Sequence, residues 1–167
     1  MKLSRNRWMA LGILLVLAAD WLTKFYVQTR VDHKFLPRPL LDEWLKLTYQ
    51  LNEGISFGFL GEVPDGLRLP VVLALSALGI GATIAILRGS PRDRWLWVAG
   101  TLILGGALGN LGDRLLDGSV TDWIILRFFP WVFNVADIAI TCGGVLLVLR
   151  MLRGEPRADD RPAPTFT

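Results

Sequence analysis

Four long apolar stretches, separated by short polar segments, dominate the pattern of this chain. They cover approximately residues 8–27, 69–87, 95–111 and 131–152. A hydrocarbon core of about 30 Å is crossed by about 20 helical residues, so each stretch is predicted to form a membrane-spanning helix. The third is short and is expected to gain length from the region of Gly112. The pattern predicts an all-α integral membrane protein with four transmembrane helices, which agrees with the 52% of hydrophobic residues.

Basic residues are distributed unevenly among the polar segments. They precede the first stretch, join the second to the third and end the chain, whereas residues 28–66 hold four basic against six acidic residues. Because cytoplasmic segments carry an excess of Lys and Arg, both termini are predicted to be cytoplasmic and residues 28–66 to lie outside. The net charge of +3 follows this bias, and no nucleic-acid partner is predicted. The first stretch also resembles a cleavable signal peptide, but its continuation past Asp20 favours a retained helix.

The segment at about 28–66 is predicted to form a small β-sheet on the outer membrane surface. Residues 44–52 alternate between apolar and polar types, and residues 55–60 are rich in β-forming residues flanked by glycines. The aromatic residues of this segment could rest at the headgroups, line a groove or form an apolar underside: Trp44, Tyr49, Phe57 and Phe59. Residues 1–152 are therefore predicted to be one membrane domain, and the proline-rich, charged tail at 153–167 to be disordered.

Two helix segments carry small residues four apart, at 77–81 and at 105–109. This spacing lets membrane helices approach each other closely, so a packing role is predicted for both segments.

The candidate chemistry lies in polar residues predicted at the outer ends of the helices. Asp137 stands six residues into the fourth stretch, and Asp122 precedes that stretch. A charge at the bilayer centre costs about 3 kcal/mol on insertion scales, so such carboxylates indicate either function or a polar group satisfied by a neighbouring helix. Further polar residues are predicted in the same leaflet: Asp20, Lys24, Asn110, Arg114 and Asn134.

Other kinds of site have weaker support. The only histidine, His33, lies in the outer segment, and the single cysteine, Cys142, has no His or Cys neighbours, so neither a metal site nor a Ser-His-Asp triad is predicted. An ion carrier would need charges at successive depths, but the inner halves of the stretches hold no acidic, basic or histidine residue. A non-catalytic lipid-binding scaffold remains an alternative.

Five segments resemble, in order, the motifs of the lipoprotein signal peptidases, or signal peptidase II. They are residues 20–24 (DWLTK), 52–57 (NEGISF), 105–114 (GGALGNLGDR), 118–124 (GSVTDWI) and 133–137 (FNVAD). The resemblance covers residues 8–152. It departs from the family pattern at Glu53 and Gly112, which affects the outer loops rather than the reaction.

The resemblance implies an intramembrane aspartic endopeptidase without cofactor or metal. It would remove the signal peptide from diacylglyceryl-modified prolipoproteins, cutting just before the lipidated cysteine. Its partners would be these lipidated signal peptides and membrane lipids; it would be a monomer in the bacterial cytoplasmic (inner) membrane, with its site towards the outer leaflet. By motif, Asp122 and Asp137 match the catalytic pair. The substrate-binding or supporting positions are Asp20, Lys24, Asn52, Gly54, Asn110, Arg114 and Asn134.

Two further expectations concern acidic residues outside the catalytic pair. Asp20 is either a structural partner of Lys24 or a member of the site, and the sequence leaves this open. Asp113 is expected to pair with Arg114 or to end a helix.

Overall fold

Four long helices form the body of the protein. The computed structural model describes residues 4–54, 64–91 and 93–153. The helices are α1 (Arg5–Arg30), α2 (Asp65–Gly89), α3 (Arg94–Asp117) and α4 (Val135–Leu152), and a short 3₁₀ helix covers His33–Phe35. All four are long and apolar enough to cross a membrane, as the sequence pattern predicts. The third gains length beyond residue 111, as expected, because α3 continues through Gly112 to Asp117 and has 24 residues.

The start of α4 differs from the prediction. Asn134 precedes the helix, and its side chain accepts a hydrogen bond from the Asp137 backbone N–H while the Asp137 carboxylate accepts one from the Asn134 backbone N–H. This reciprocal capping box begins the helix at Val135 instead of residue 131. Asp137 therefore lies in the first turn of α4, and the prediction that it stands six residues into a helix is wrong.

A four-stranded antiparallel sheet caps one end of the bundle. Its strands follow the order β1 (Arg38–Leu41), β2 (Leu45–Asn52), β3 (Val120–Leu126) and β4 (Val132–Phe133). The strand predicted at 44–52 is confirmed as β2, whereas residues 55–60 and the tail from residue 154 lie outside the described residues. The α3–α4 connection supplies β3 and β4, so Asp122 lies on a strand and not at a helix end.

Side chains of the sheet segment adopt different environments. Tyr49 is partly buried and stacks on the ring of His33, with 4.2 Å between the ring centroids. Trp44 is instead exposed, at the turn between β1 and β2. Phe57 and Phe59 belong to the segment outside the described residues.

Helix α3 occupies the centre of the bundle and packs against α1, α2 and α4. A Cβ added at Gly105 would lie 2.8 Å from the Cβ of Val16 on α1, and one added at Gly106 would meet the Ala136 carbonyl oxygen on α4. The predicted packing role of residues 105–109 is thus confirmed. A Cβ at Gly81 would meet no atom within 4 Å among the described residues, so the same prediction for residues 77–81 is wrong at that glycine.

Candidate active site

Polar side chains from α1, α3, the sheet and the N-cap of α4 meet where the bundle joins the sheet. They are less than a tenth exposed: Asp20, Lys24, Asn110, Arg114, Asp122 and Asn134. Buried polar groups are costly unless they are hydrogen-bonded, so the arrangement depends on how these groups satisfy one another. The following contacts connect them into one network.

Asp122 lies near the start of β3, where three consecutive residues of the strand are buried. Its Oδ2 accepts a hydrogen bond of 2.9 Å from Asn52 Nδ2 at the end of β2, and its Oδ1 accepts one of 2.7 Å from Asn134 Nδ2. Burial raises the pKa of this carboxyl from 3.8 to about 6, because removal from water penalises the charged form more than the two hydrogen bonds favour it. The negative charge of Asp137 contributes to this rise, and the positive charge of Lys24 opposes it.

Asp137 accepts donors on both carboxylate oxygens. Its Oδ1 accepts a hydrogen bond of 2.8 Å from Asn110 Nδ2 on α3, and its Oδ2 accepts one of 3.2 Å from the backbone N–H of Asn134. The carboxylate is thereby held in a defined orientation at the amino end of α4, where the helix dipole attracts negative charge.

Asn134 joins the two aspartates. Its amide Nδ2 donates to Asp122 Oδ1 at 2.7 Å and to Asn110 Oδ1 at 3.1 Å, while its Oδ1 accepts from the Asp137 backbone N–H at 2.9 Å. Both hydrogens of the amide are therefore used. The side chain is fully buried, so a single asparagine sets the position of Asp122 relative to the first turn of α4.

Asp20 and Lys24 connect α1 to this network. Asp20 Oδ1 accepts a hydrogen bond of 2.9 Å from the Ala136 backbone N–H, which is one of the N–H groups at a helix start without a partner inside the helix. Asp20 Oδ2 lies 2.6 Å from Lys24 Nζ. These contacts tie α1 to the start of α4.

Asp113 has a different partner from the expected one. Its Oδ2 lies 2.8 Å from Lys24 Nζ, so it pairs with the lysine of α1 and not with its sequence neighbour Arg114. Neighbours on a helix point about 100° apart. The contact between α1 and α3, which sequence spacing does not reveal, determines the pairing.

Arg114 connects α3 to the segment after β2. Its Nη2 donates to the Gly54 carbonyl oxygen at 2.8 Å, and its Nη1 donates to the Asn110 carbonyl oxygen at 3.3 Å. The Gly54 N–H in turn donates to Asn52 Oδ1 at 3.0 Å. The Nε of Arg114 is buried and has no hydrogen-bond partner among the described residues.

A mainly apolar cavity of about 570 Å³ adjoins the polar cluster. Residues of α2, α3 and α4 and of the β3–β4 connection line it, and Asn110, Arg114 and Asp137 contribute polar groups to its wall. An apolar cavity with a few convergent polar groups is the usual form of a small-molecule or peptide site. Within the described ranges, no group of three or more His, Cys, Asp or Glu side chains could hold a metal ion.

The structure brings the predicted site residues together and shows a neighbouring contact that sequence reasoning missed. Gln28 Nε2 donates to Thr121 Oγ1 at 2.7 Å, beside Asp122. An amide at the end of an apolar stretch was the available signal, but nothing local in the sequence indicated a partner so far along the chain.

Known proteins resemble this chain over most of its length. The sequence profile of signal peptidase (SPase) II matches residues 12–153. A lipoprotein signal peptidase of Pseudomonas fluorescens is 36% identical over 163 residues, which cover 92% of each chain. That of Moorella thermoacetica is 39% identical over 143 residues, covering 83% of this chain and 89% of the relative.

The fold has a counterpart among solved structures. A bacterial membrane enzyme solved by the in meso method at 2.3 Å resolution superposes with a TM-score of 0.78 at 23% identity, covering 92% of this chain and 93% of that one. This likeness shows the fold. The profile match and the curated relatives show that the chain belongs to the lipoprotein signal peptidase, or signal peptidase II, family.

Proposed function

We propose that the chain is an aspartic endopeptidase that removes the signal peptide from diacylglyceryl-modified prolipoproteins, cutting just before the lipidated cysteine. We place it in the bacterial inner membrane, with its site towards the outer leaflet. The observation that carries the proposal is the pair Asp122 and Asp137, joined through the buried amide of Asn134. Membership of the signal peptidase II family supports the substrate class.

Two coupled carboxyls can carry out both proton transfers of peptide hydrolysis. One carboxylate removes a proton from a water molecule while the water oxygen bonds to the peptide carbonyl carbon. The other carboxyl gives its proton to the carbonyl oxygen. When the C–N bond breaks, a proton returns to a carboxylate and another passes to the leaving nitrogen. Asp122, with a pKa of about 6, keeps a proton where an ordinary aspartate is ionised, so the pair can hold the single proton that this cycle needs.

The surrounding groups have supporting roles in this proposal. Asn110 and Asn134 orient the carboxylates through their amide hydrogens, and the buried Nε of Arg114 is available as a donor to a substrate carbonyl. The apolar wall of the cavity suits an apolar signal-peptide segment or an acyl chain.

The test is precursor cleavage by purified Asp122→Asn and Asp137→Asn variants, with precursor binding measured separately. Asparagine is close in size and remains polar but cannot exchange the protons, so each variant is expected to bind and to lose on the order of 1,000-fold or more in turnover. The double variant should be little worse than either single one, because residues that act as a unit are not additive.

Asp117→Asn is the matched control, since it makes the same change at an exposed aspartate, the last residue of α3. It is expected to cleave like the parent. Substantial turnover by one site variant would remove that residue from the mechanism, and turnover by both would refute the aspartic peptidase proposal. A lipid-binding scaffold or an ion carrier would leave the precursor uncleaved by the parent itself.

A further inference from the structure

The buried ammonium of Lys24 has three oxygen neighbours, and one of them is uncharged. Its Nζ lies 2.6 Å from Asp20 Oδ2, 2.8 Å from Asp113 Oδ2 and 3.1 Å from Asn110 Oδ1. Lys24 is 3% exposed, so water cannot replace these partners. An ammonium has three hydrogens to donate. Its hydrogen bonds go to Asp20 Oδ2 and to the Asn110 amide, which itself contacts Asp137, whereas Asp113 forms an ion pair with Lys24 without a hydrogen bond.

The contact with Lys24 determines which way round the Asn110 amide lies. An ammonium can only donate hydrogen bonds, so Asn110 must present its Oδ1 to Lys24. Its Nδ2 then faces Asp137 Oδ1 at 2.8 Å. If the amide were reversed, its NH₂ would face the Lys24 ammonium and its oxygen would face a carboxylate, and both contacts would be repulsive.

The same orientation extends to the second aspartate. Asn110 Oδ1 also accepts a hydrogen bond of 3.1 Å from Asn134 Nδ2, which uses its other hydrogen on Asp122 Oδ1 at 2.7 Å. A reversed Asn110 would set its NH₂ against that donor. One ammonium on α1 therefore gives direction to the hydrogen bonds that end on both carboxyls.

We infer that Lys24 is a positioning residue, which acts through Asn110 to hold a hydrogen-bond donor against Asp137. The inference rests on the proposed catalytic role of Asp137. Lys24 makes no direct hydrogen bond to Asp122 or Asp137 in the part of the chain that the structure describes. Its effect should consequently appear in the chemical step, since Asn110 aligns the reacting carboxyl, more than in substrate binding.

A purely structural role for Lys24 makes different predictions. If Lys24 only neutralised two buried carboxylates, loss of its partner Asp113 would impair the protein in a similar way, and the effect of Lys24 would not depend on Asn110. The two roles can therefore be separated by comparing changes at these three positions.

The experiment measures kcat and KM for precursor cleavage by Lys24→Met, Asn110→Ala and their double variant, with folded protein quantified by thermal unfolding. Methionine keeps the length of lysine but cannot donate. We expect each single variant to lower kcat by about 10- to 100-fold with a much smaller change in KM, as the loss of one preorganised donor does. Compared at the pH optimum of each variant, so that the effect of the Lys24 charge on the pKa of Asp122 does not enter, the double variant should be no slower than Asn110→Ala, because Lys24 has no amide left to orient.

Asp113→Asn is the matched control, because it removes another partner of Lys24 and leaves the contact with Asn110 in place. Because the Asn110 donor to Asp137 is kept, the kcat of the folded variant is expected to stay within about twofold of the parent's. If Lys24→Met alone does not fold, it is combined with Asp113→Asn, so that one buried charge of each sign is removed. The kcat of this double variant is then compared with that of Asp113→Asn alone.

Three outcomes would overturn the inference: a parental kcat in the folded Lys24→Met variant, losses that multiply in the double variant, or an equal loss in Asp113→Asn. Asp137→Asn is assayed in parallel to separate the two proposals. If Asp137→Asn is inactive while Lys24→Met cleaves normally, only the positioning role fails; if Asp137→Asn cleaves, the proposed function fails.

Discussion

At the scale of single residues, the environment of Asp122 is a balance between burial and hydrogen bonding. Burial and the charge of Asp137 raise the pKa of Asp122, whereas hydrogen bonds from Asn52 and Asn134 and the charge of Lys24 lower it, with a result of about 6. Between pH 3.8 and about 6 this carboxyl therefore binds a proton in the folded state that it would release when unfolded. Its contribution to stability falls as the pH rises through that window.

The pKa of Asp122 leads to a prediction for the pH dependence of cleavage. The coupled pair needs one proton, and Asp122 loses it above about pH 6, so turnover is expected to fall as the pH rises beyond that value. Asn52→Ala removes a hydrogen bond that favours the charged form, so the falling limb should move to higher pH. The measurement is kcat against pH for the parent and the variant.

Gln50→Ala provides the comparison for Asn52→Ala. Gln50 lies on the same strand and opposite Asp122 in the register between β2 and β3, but its side chain is exposed. Its pH profile should match that of the parent. If kcat falls at the same pH in Asn52→Ala as in the parent, or if the fall moves equally in Gln50→Ala, the role given to the Asn52 hydrogen bond is contradicted.

The sequence selected candidate site residues that the structure brings together, but most of the contacts among them could not be predicted from it. Asp122 and Asp137 follow from apolar surroundings and short motifs, which are local features. The bonds that give them their environment join distant positions: Lys24 and Asn110 are 86 residues apart, and Asp20 and Ala136 are 116 apart. Periodicity within one segment carries no information on such pairs, and the partner of Asp113 was predicted wrongly for this reason.

At the scale of elements, the connection between α3 and α4 shows where hydrophobic pattern is ambiguous. Residues 131–133 are apolar and only Asn134 separates them from α4, so they were assigned to the helix, although they belong to a bend and to β4. A short apolar run cannot by itself distinguish a strand from a helix. The local signal was the spacing of Asn134 and Asp137, which is that of a capping box. The β-branched and aromatic residues of β3 were a second signal.

The double role of Asn134, as cap of α4 and as bridge to Asp122, leads to the second prediction. In Asn134→Ala both roles are lost, and the cap alone is worth about 1 kcal/mol. Serine can accept the hydrogen bond from the Asp137 N–H, so Asn134→Ser should recover much of the thermal stability. It cannot supply two amide hydrogens, so turnover should stay about 100-fold below the parent in both variants.

Thermal unfolding and precursor cleavage are measured on the same purified samples. Stability recovered without activity would show that the bridge to Asp122 matters separately from the cap. Parental turnover in Asn134→Ser would mean that the amide contacts to Asp122 and Asn110 have no role in the reaction.

At the scale of the whole molecule, the outer faces of the helices expose large apolar side chains, which is unfavourable in water. Leu15 is 71% exposed on α1, Leu78 is 68% exposed on α2 and Leu152 is 79% exposed on α4. Exposed apolar area of this extent indicates contact with lipid. The polar network is instead enclosed between α1, α3, α4 and the sheet, so the side of the membrane on which the sheet lies decides which compartment the site faces.

The last prediction tests that orientation. Since basic residues cluster before α1, between α2 and α3 and after α4, we expect the sheet to face outwards and the α2–α3 connection to face the cytoplasm. Replacing the single cysteine by Cys142→Ser allows one cysteine to be placed at a time. Glu43, in the β1–β2 turn, and Arg88, in the last turn of α2, are both exposed. In spheroplasts, a maleimide that cannot cross membranes should label Glu43→Cys at once and Arg88→Cys only after permeabilisation, with retained precursor cleavage confirming that each variant is folded. Labelling of position 88 but not 43 in intact spheroplasts would reverse the topology and place the aspartates on the cytoplasmic side.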